Sequence, residues 1–355
     1  MNIFIRADSS KEIGTGHIMR CLVLAEDLRK KKVNITFICR KLQGNLMDLI
    51  KTKGFHVRSL PPITSNLGDL QWHKTYWDYD AMQTTNILKK QAEVEWLIID
   101  HYAFDIMWEH QLKPYVKKIM VIDDLANRPH DCDLLLDQNV YKNMDERYAG
   151  LVPYTTKTLL GIKYLLLRQE YRNIRNIKKR NGLVNKILIS FGGSDPTNET
   201  MKALKAINML NRQNIHVDVV VGFSNQNYQT IQSLCAIMPQ TTLHYHIDYL
   251  ADLMAEADLA IGAGGSTTWE RCYVCLPAIT IETARNQTEI LTFLSEVGAI
   301  RHLGVSKEVS ELDIANTLHQ LLQDPKSLIN MMDASLLIMK EVESNSVAKQ
   351  LVEGE

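Results

Sequence analysis

Short apolar runs separated by stretches of helical periodicity recur along the whole chain. In the first half the β-rich runs are Ile3 to Ala7, Asn34 to Cys39, His56 to Leu60, Trp96 to Ile99, Lys118 to Ile122 and Asp133 to Leu136. In the second half they are Lys186 to Phe191, His216 to Val221, Thr242 to His246, Asp258 to Ile261, Ala278 to Ile281 and Ala299 to Leu303. Strands alternating with helices predict parallel sheets joined by right-handed crossovers. From about Ser310 to Glu353 the pattern is helical, broken at Asp324-Pro325, and no strand follows. The expected fold class is therefore α/β, with two Rossmann-like domains facing a cleft and helices at the C-terminus. The first domain is expected over 1–165 and the second over 186–305. Between them, 166–185 carries Arg168, Glu170, Arg172, Arg175 and the run Lys178-Lys179-Arg180, and reads as a solvated connection. The helices of 306–355 are expected to cross back to the first domain.

Composition narrows the class. A chain of 355 residues exceeds one ordinary core. Its 40 Lys plus Arg against 41 Asp plus Glu argue against a nucleic-acid footprint over the whole surface. No apolar stretch approaches the roughly 20 residues of a membrane span, and Met1 to Ala7 reads as a strand, so a cytoplasmic protein without membrane insertion is expected. Six cysteines, at 21, 39, 132, 235, 272 and 275, lie in apolar segments and suit reduced core thiols. Cys272 and Cys275 have CxxC spacing, but no second ligand pair accompanies them, so neither a zinc site nor a redox role is expected.

Candidate chemistry sits where strands end. Gly14-Thr15-Gly16-His17 lies between the first strand and the helical pattern from Ile18 to Lys31, which puts an imidazole at a helix start. Backbone N–H groups there attract anions and disfavour a protonated ring, so His17 is a candidate base beside a bound phosphate. An isolated histidine in a glycine turn is also an ordinary polar loop residue. Asp8, Asp100, Asp123 with Asp124, and Asp137 follow strands, and ligands of parallel sheets bind beyond the carboxyl ends, so these acids are expected on one rim with His17. Taken singly, each also suits helix capping. Arg6, unusual within a strand, either pairs with a rim aspartate or reaches substrate. Tyr102, in Asp100-His101-Tyr102, is a candidate for contacting sugar or positioning water. A Mg²⁺ cradle from Asp100, Asp123 and Asp124 remains an alternative to the expectation of no metal and no other cofactor.

In the second half, Gly262-Ala263-Gly264-Gly265-Ser266-Thr267-Thr268 joins a strand to a helix containing Glu270. Its glycines let backbone amides approach a pyrophosphate. The turn lacks the Gly-Lys-Ser/Thr ending of a Walker loop and the spacing of the dinucleotide fingerprint, so ATP and NAD are poor guesses. Gly192-Gly193 ends the first strand of the same domain, Glu270 is placed to meet ribose hydroxyls, and Asn286-Gln287 opens another helix on the same rim.

Taken in order, Gly14-Thr-Gly-His-x-x-Arg20-Cys21, Asp100-His-Tyr102, Ile122-Asp-Asp124, Leu159-Leu-Gly-Ile-Lys-Tyr164, Ser190-Phe-Gly-Gly-Ser-Asp195 and Gly262 to Glu270 through Asn286-Gln287 resemble the UDP-sugar hydrolases of pseudaminic acid biosynthesis over roughly residues 1 to 300. The resemblance implies a glycosyltransferase-B-like fold and hydrolysis of a UDP-linked 2,4-diacetamido-2,4,6-trideoxyhexose, with His17 activating water. The N-domain set then comprises His17 and Tyr102 with Arg6, Asp8, Gly14, Gly16, Arg20 and Asp100. By similarity to the related UDP-GlcNAc transferase that makes lipid II, Ile247 and Leu250 would flank uracil, Gly264, Gly265, Ser266 and Thr267 the diphosphate, and Glu270 the ribose, with Gly192, Gly193, Asn286 and Gln287 beside them. That transferase has a longer glycine-rich loop before its histidine, so a lipid acceptor is disfavoured here. The partner expected is a small UDP-sugar, and no protein partner is named. A UDP-sugar glycosyltransferase, a non-catalytic UDP-sugar-binding protein and an epimerase on the same fold are the competing readings.

Overall fold

The computed structural model describes residues 1–174, 179–212 and 214–354. Arg175 and Lys178 of the expected connection lie outside the described residues. The chain divides into two compact units, one of Met1–Leu166 with Val342–Glu355 and one of Leu167–Glu341.

The first unit holds β1 (Asn2–Ala7), β2 (Asn34–Arg40), β3 (His56–Leu60), β4 (Trp96–Asp100), β5 (Lys118–Ile122), β6 (Leu134–Asp137) and β7 (Lys157–Leu160). They form one sheet in the order β3-β2-β1-β4-β5-β6-β7, with every pair parallel. Helices on both faces leave the central strands without a solvated side, and so all of Trp96–Asp100 is buried. The helix Gly16–Arg29 presses Ile18, Cys21, Leu24, Ala25 and Leu28 onto the sheet. Strand β7 was not anticipated from the pattern: it is four residues long, sits at the sheet edge and begins with the exposed pair Lys157 and Thr158.

The second unit holds β8 (Lys186–Ser190), β9 (His216–Val221), β10 (Thr241–Tyr245), β11 (Leu259–Ala263), β12 (Ala278–Glu282) and β13 (Arg301–Val305). Their order is β10-β9-β8-β11-β12-β13, again all parallel. In both sheets the order reverses direction beside the first strand, and a parallel sheet with such a switch places ligand sites at its carboxyl edge. His246, read as a strand residue, takes a left-handed φ of 49° and ends β10 one residue earlier.

The described part of the stretch 166–185 is not wholly solvated. From Leu167 it groups with the second unit. Gln169–Asn173 is helical, and Tyr171 is fully buried. Arg180 is buried because its guanidinium donates to the carbonyls of Met254, Ala255, Ala257, Val274 and Cys275, where two helices end and carbonyls lack partners.

Helices Glu311–Gln323 and Pro325–Met339 stay with the second unit. The last helix, Ser346–Glu353, belongs to the first unit, where Val347, Ala348 and Leu351 join the apolar core and Trp96 Nε1 donates to Leu351 O at 3.1 Å. All six cysteines are free and buried. Among the described residues no helix is long and apolar enough to cross a membrane.

Candidate functional site

In the first unit, β1 runs into a loop that closes on itself when Gly14 N donates to Ser10 O at 2.9 Å. Gly14 has a φ of +84°, a conformation that side chains resist, and the helix begins two residues later at Gly16. His17, 5% exposed, therefore lies in the first helical turn. Strand β4 pairs with β1 so that Ala7 faces Asp100, and the carboxylate of Asp100 meets the His17 ring, with Nδ1 at 2.5 Å from Oδ1.

Arg20, one turn along the helix, completes the group. Its Nε donates to Asp100 Oδ2 and its Nη2 to Oδ1, both at 2.6 Å, while Nη1 donates to Asp124 Oδ2 at 2.8 Å. Cys21 Sγ donates to Asp100 Oδ2 at 3.4 Å. Burial alone would raise the Asp100 carboxyl, but Arg20 first and His17 next outweigh it and hold the group far below the ordinary carboxylate range. An ionised carboxylate only accepts, so the contact puts a proton on His17 Nδ1, and in the neutral ring the lone pair is then on Nε2. Tyr102 packs edge-on against the His17 ring, with centroids 4.5 Å apart. The carboxylate and the tyrosine ring together fix the orientation of the imidazole.

Arg6 and Asp8 are corrected: neither lines a rim. Both are fully buried. Arg6 pairs with Asp8 at 2.8 Å and Asp80 at 2.7 Å, and Asp8 Oδ1 also accepts from Arg40 N at 2.6 Å. Asp80 further binds Arg40 and Trp108, making a closed ionic core below the carboxyl edge of β1 and β2. Asp100, too, is wholly buried and acts on His17 rather than offering itself to a ligand.

Asp123 and Asp137 each accept from backbone amides. Asp123 Oδ2 accepts from Ala126 N at 2.8 Å and Leu125 N at 3.2 Å, and Asp137 Oδ1 from Asn139 N at 3.1 Å. The Mg²⁺ cradle does not fit, because the Arg20 guanidinium bridges Asp100 and Asp124 and Asp123 pairs with Arg128 at 2.8 Å. Asp8, His73 and His101 do bring potential ligand atoms within 4.8 Å of one another. His101 Nδ1, however, accepts Ala103 N–H at 3.1 Å, so the neutral ring's proton is on the Nε2 that faces inward, where a metal needs a lone pair.

In the second unit the carboxyl ends of the strands carry the glycine turns. Gly192 has a φ of +81°. Gly222, after β9, lies so close that an added Cβ would sit 2.4 Å from Gly193 O. After β11, Gly264 N donates to Gln287 Oε1 at 3.2 Å, and the same oxygen accepts from Thr283 N at 3.0 Å. Gln287 is thus a brace between two loops rather than a free rim group. Asn286 beside it is exposed. The helix Thr267–Tyr273 starts at Ser266, and the amides of Gly265 and Ser266 have no intramolecular acceptor among the described residues.

Glu270, 7% exposed, is gripped in a fork by Arg168, whose Nε and Nη2 donate to Oε1 at 2.6 Å and Oε2 at 2.8 Å. Arg168 Nη2 also donates to Tyr171 OH at 3.0 Å. The sequence placed Arg168 only in a charged connection. With the partners 102 positions apart, no local spacing marks the pair. Ile247 and Leu250 are half-buried just beyond β10.

Comparison with known proteins gives these positions a context. Residues 187–351 match the glycosyltransferase family 28 C-terminal domain. The UDP-2,4-diacetamido-2,4,6-trideoxy-beta-L-altropyranose hydrolase of Campylobacter jejuni is 28% identical over 299 residues, covering 84% of this chain and 97% of that protein. The spore coat polysaccharide biosynthesis protein SpsG of Bacillus subtilis is 23% identical over 322 residues, covering 88% and 86%. Among solved structures, MurG of Acinetobacter baumannii aligns with 99% of each chain covered, 14% identity and a TM-score of 0.63. The UDP complex of Arabidopsis thaliana UGT89C1 aligns over 99% of this chain and 98% of its own, with 9% identity and a TM-score of 0.70. These structural likenesses are of fold, and the fold is that of the glycosyltransferase-B proteins.

Proposed function

We propose that this chain, a relative of the UDP-sugar hydrolases with a family 28 C-terminal domain, hydrolyses a UDP-linked 2,4-diacetamido-2,4,6-trideoxyhexose to free sugar and UDP in pseudaminic acid biosynthesis. The observation that carries the reading is the 2.5 Å contact of His17 with the buried Asp100, which leaves Nε2 as acceptor. In the proposed step, His17 Nε2 takes a proton from water as its oxygen bonds to the anomeric carbon. The bond from that carbon to the bridging phosphate oxygen breaks, and its electron pair leaves with UDP. Attack from the face opposite UDP inverts the anomeric centre and cleaves C–O rather than P–O.

On this reading Glu270, set by Arg168, receives the ribose hydroxyls, and Ile247 with Leu250 flanks uracil. Gly192, Gly193 and the turn Gly264 to Thr267 take the diphosphate. UDP leaves readily once its charge is held, so no strong acid is required. Tyr102 limits the space around the base and meets the sugar. Turnover in ¹⁸O-labelled water with NMR of the products tests the step: label on the sugar C1 supports it, and label in UDP refutes it. The family 28 domain favours a glycosyltransferase as second reading. Free sugar released from UDP-sugar with no acceptor present separates the two.

A further inference from the structure

The helix that follows the glycine turn carries a buried arginine of unusual surroundings. Arg271 is 2% exposed. Its Nη2 donates to Ala263 O at 2.7 Å and to Thr268 Oγ1 at 3.0 Å, and its Nη1 to Thr267 Oγ1 at 3.4 Å. A Cβ on Gly262 would lie 2.9 Å from Nη1, so the guanidinium lies directly against the turn and needs glycine there. Its Nε is buried and has no partner among the described residues.

No carboxylate reaches Arg271 among the described residues. The other buried arginines are compensated. Arg6, Arg20, Arg40 and Arg168 each pair with aspartate or glutamate, and Arg180 is ringed by main-chain carbonyls at helix ends. Glu270 is adjacent in sequence, but Arg168 holds both its oxygens. Burial draws the Arg271 guanidinium below its ordinary value, whereas carboxylates outweigh burial at Arg6, Arg20 and Arg168. A buried cation with one carbonyl and two hydroxyls for company is costly unless a counter-charge arrives.

We propose that this counter-charge is the diphosphate of the ligand, and that Arg271 is a positioning residue that fixes the turn 263–268 and gives it a standing positive charge. The proposal rests on the UDP reading of that turn. It makes the subsite selective by ligand charge: affinity for a diphosphate depends on Arg271, and affinity for the nucleoside does not.

The test is calorimetric titration of the full-length protein and its Arg271→Gln, Arg271→Met and Arg271→Lys variants with uridine, UMP, UDP and inorganic pyrophosphate at fixed ionic strength. With the charge removed, UDP and pyrophosphate are expected to bind about tenfold more weakly or worse, UMP less affected and uridine unchanged, while lysine restores most of the loss. Equal weakening of uridine, UMP and UDP in Arg271→Gln means a structural role and overturns the proposal, as does unchanged UDP binding. Failure of both neutral variants to fold while Arg271→Lys folds also overturns it, because the charge then serves the fold. If the wild-type protein binds pyrophosphate through Arg271 but no uridine ligand, the UDP reading falls and the charge assignment stands. If it binds none of the four, both fall.

Discussion

Replacing His17 and Asp100 separately and together tests whether they form one catalytic unit. His17→Asn keeps a polar side chain of similar size in a site 5% exposed, and it removes the base. General-base assistance is typically worth 10²- to 10⁴-fold, so kcat is expected to fall by about that factor, roughly 3–5 kcal/mol of barrier. Asp100→Asn leaves the imidazole in place but exchanges an ionised double acceptor for an amide with one accepting oxygen and one donor, so the 2.5 Å contact no longer fixes the tautomer and Arg20 loses at least one of its two bonds at 2.6 Å. If Asp100 acts through His17, the double variant loses no more than the worse single one, because the second change removes an interaction already gone. UDP affinity stays within about twofold, the proposed nucleotide contacts being on the other unit. The assays are UDP release under saturating UDP-sugar and calorimetric titration with UDP. Near wild-type kcat in His17→Asn, or a double variant whose loss is the product of the two single losses, refutes the assignment.

Asp100 also predicts a pH dependence of stability. Its folded value lies below the ordinary carboxylate value near 3.9, so its stabilisation is complete above that pH and lost only as pH falls through the lowered folded value. The melting gap between wild type and Asp100→Asn, about 3–5 kcal/mol from breaking a buried pair, should stay level from pH 8 to about 5 and close only in stronger acid. Gly264→Ala should destabilise by about 1–3 kcal/mol and weaken UDP binding, since its Cβ would lie 2.5 Å from Leu291 Cδ1, whereas Gly265→Ala meets nothing within 4 Å and should melt like wild type. Glu270→Gln should erase the preference for UDP over 2′-deoxy-UDP in competition titrations, with the loss mirrored by Arg168→Ala. Leu351→Ala, at 3% exposure, should cost about 2–5 kcal/mol in a denaturant melt that reports on the first unit.

The elements were readable most directly where parallel strands buried on both faces are continuous apolar runs, as in Trp96–Asp100 and Leu259–Ala263. Lys157–Leu160 is a short edge strand with polar residues on half its length, and so it carries no such signal. Features of the candidate sites were legible where they depend on local backbone, as in the glycine turns at Gly14 and Gly192. They were not where long-range pairing decides what a charge does. Arg6 and Asp8 look like a ligand pair in sequence because Asp80, 74 positions from Arg6, is invisible to any local pattern. Arg168 looks like a solvated charge because Glu270 is equally remote.

A buried charge is thus assigned by its partner and not by its neighbours in the chain. The ionic core of Arg6, Asp8, Arg40 and Asp80 balances two cations against two anions within itself, so its charges need no ligand to compensate them. The Asp100 group is different, because its carboxylate serves both Arg20 and the His17 ring. Arg271 differs again, since its cation is met by no anion among the described residues. Charge balance therefore separates the framework from the two groups to which the proposed function and the further inference give a base and an anion subsite, and a reaction that expels a diphosphate would need both.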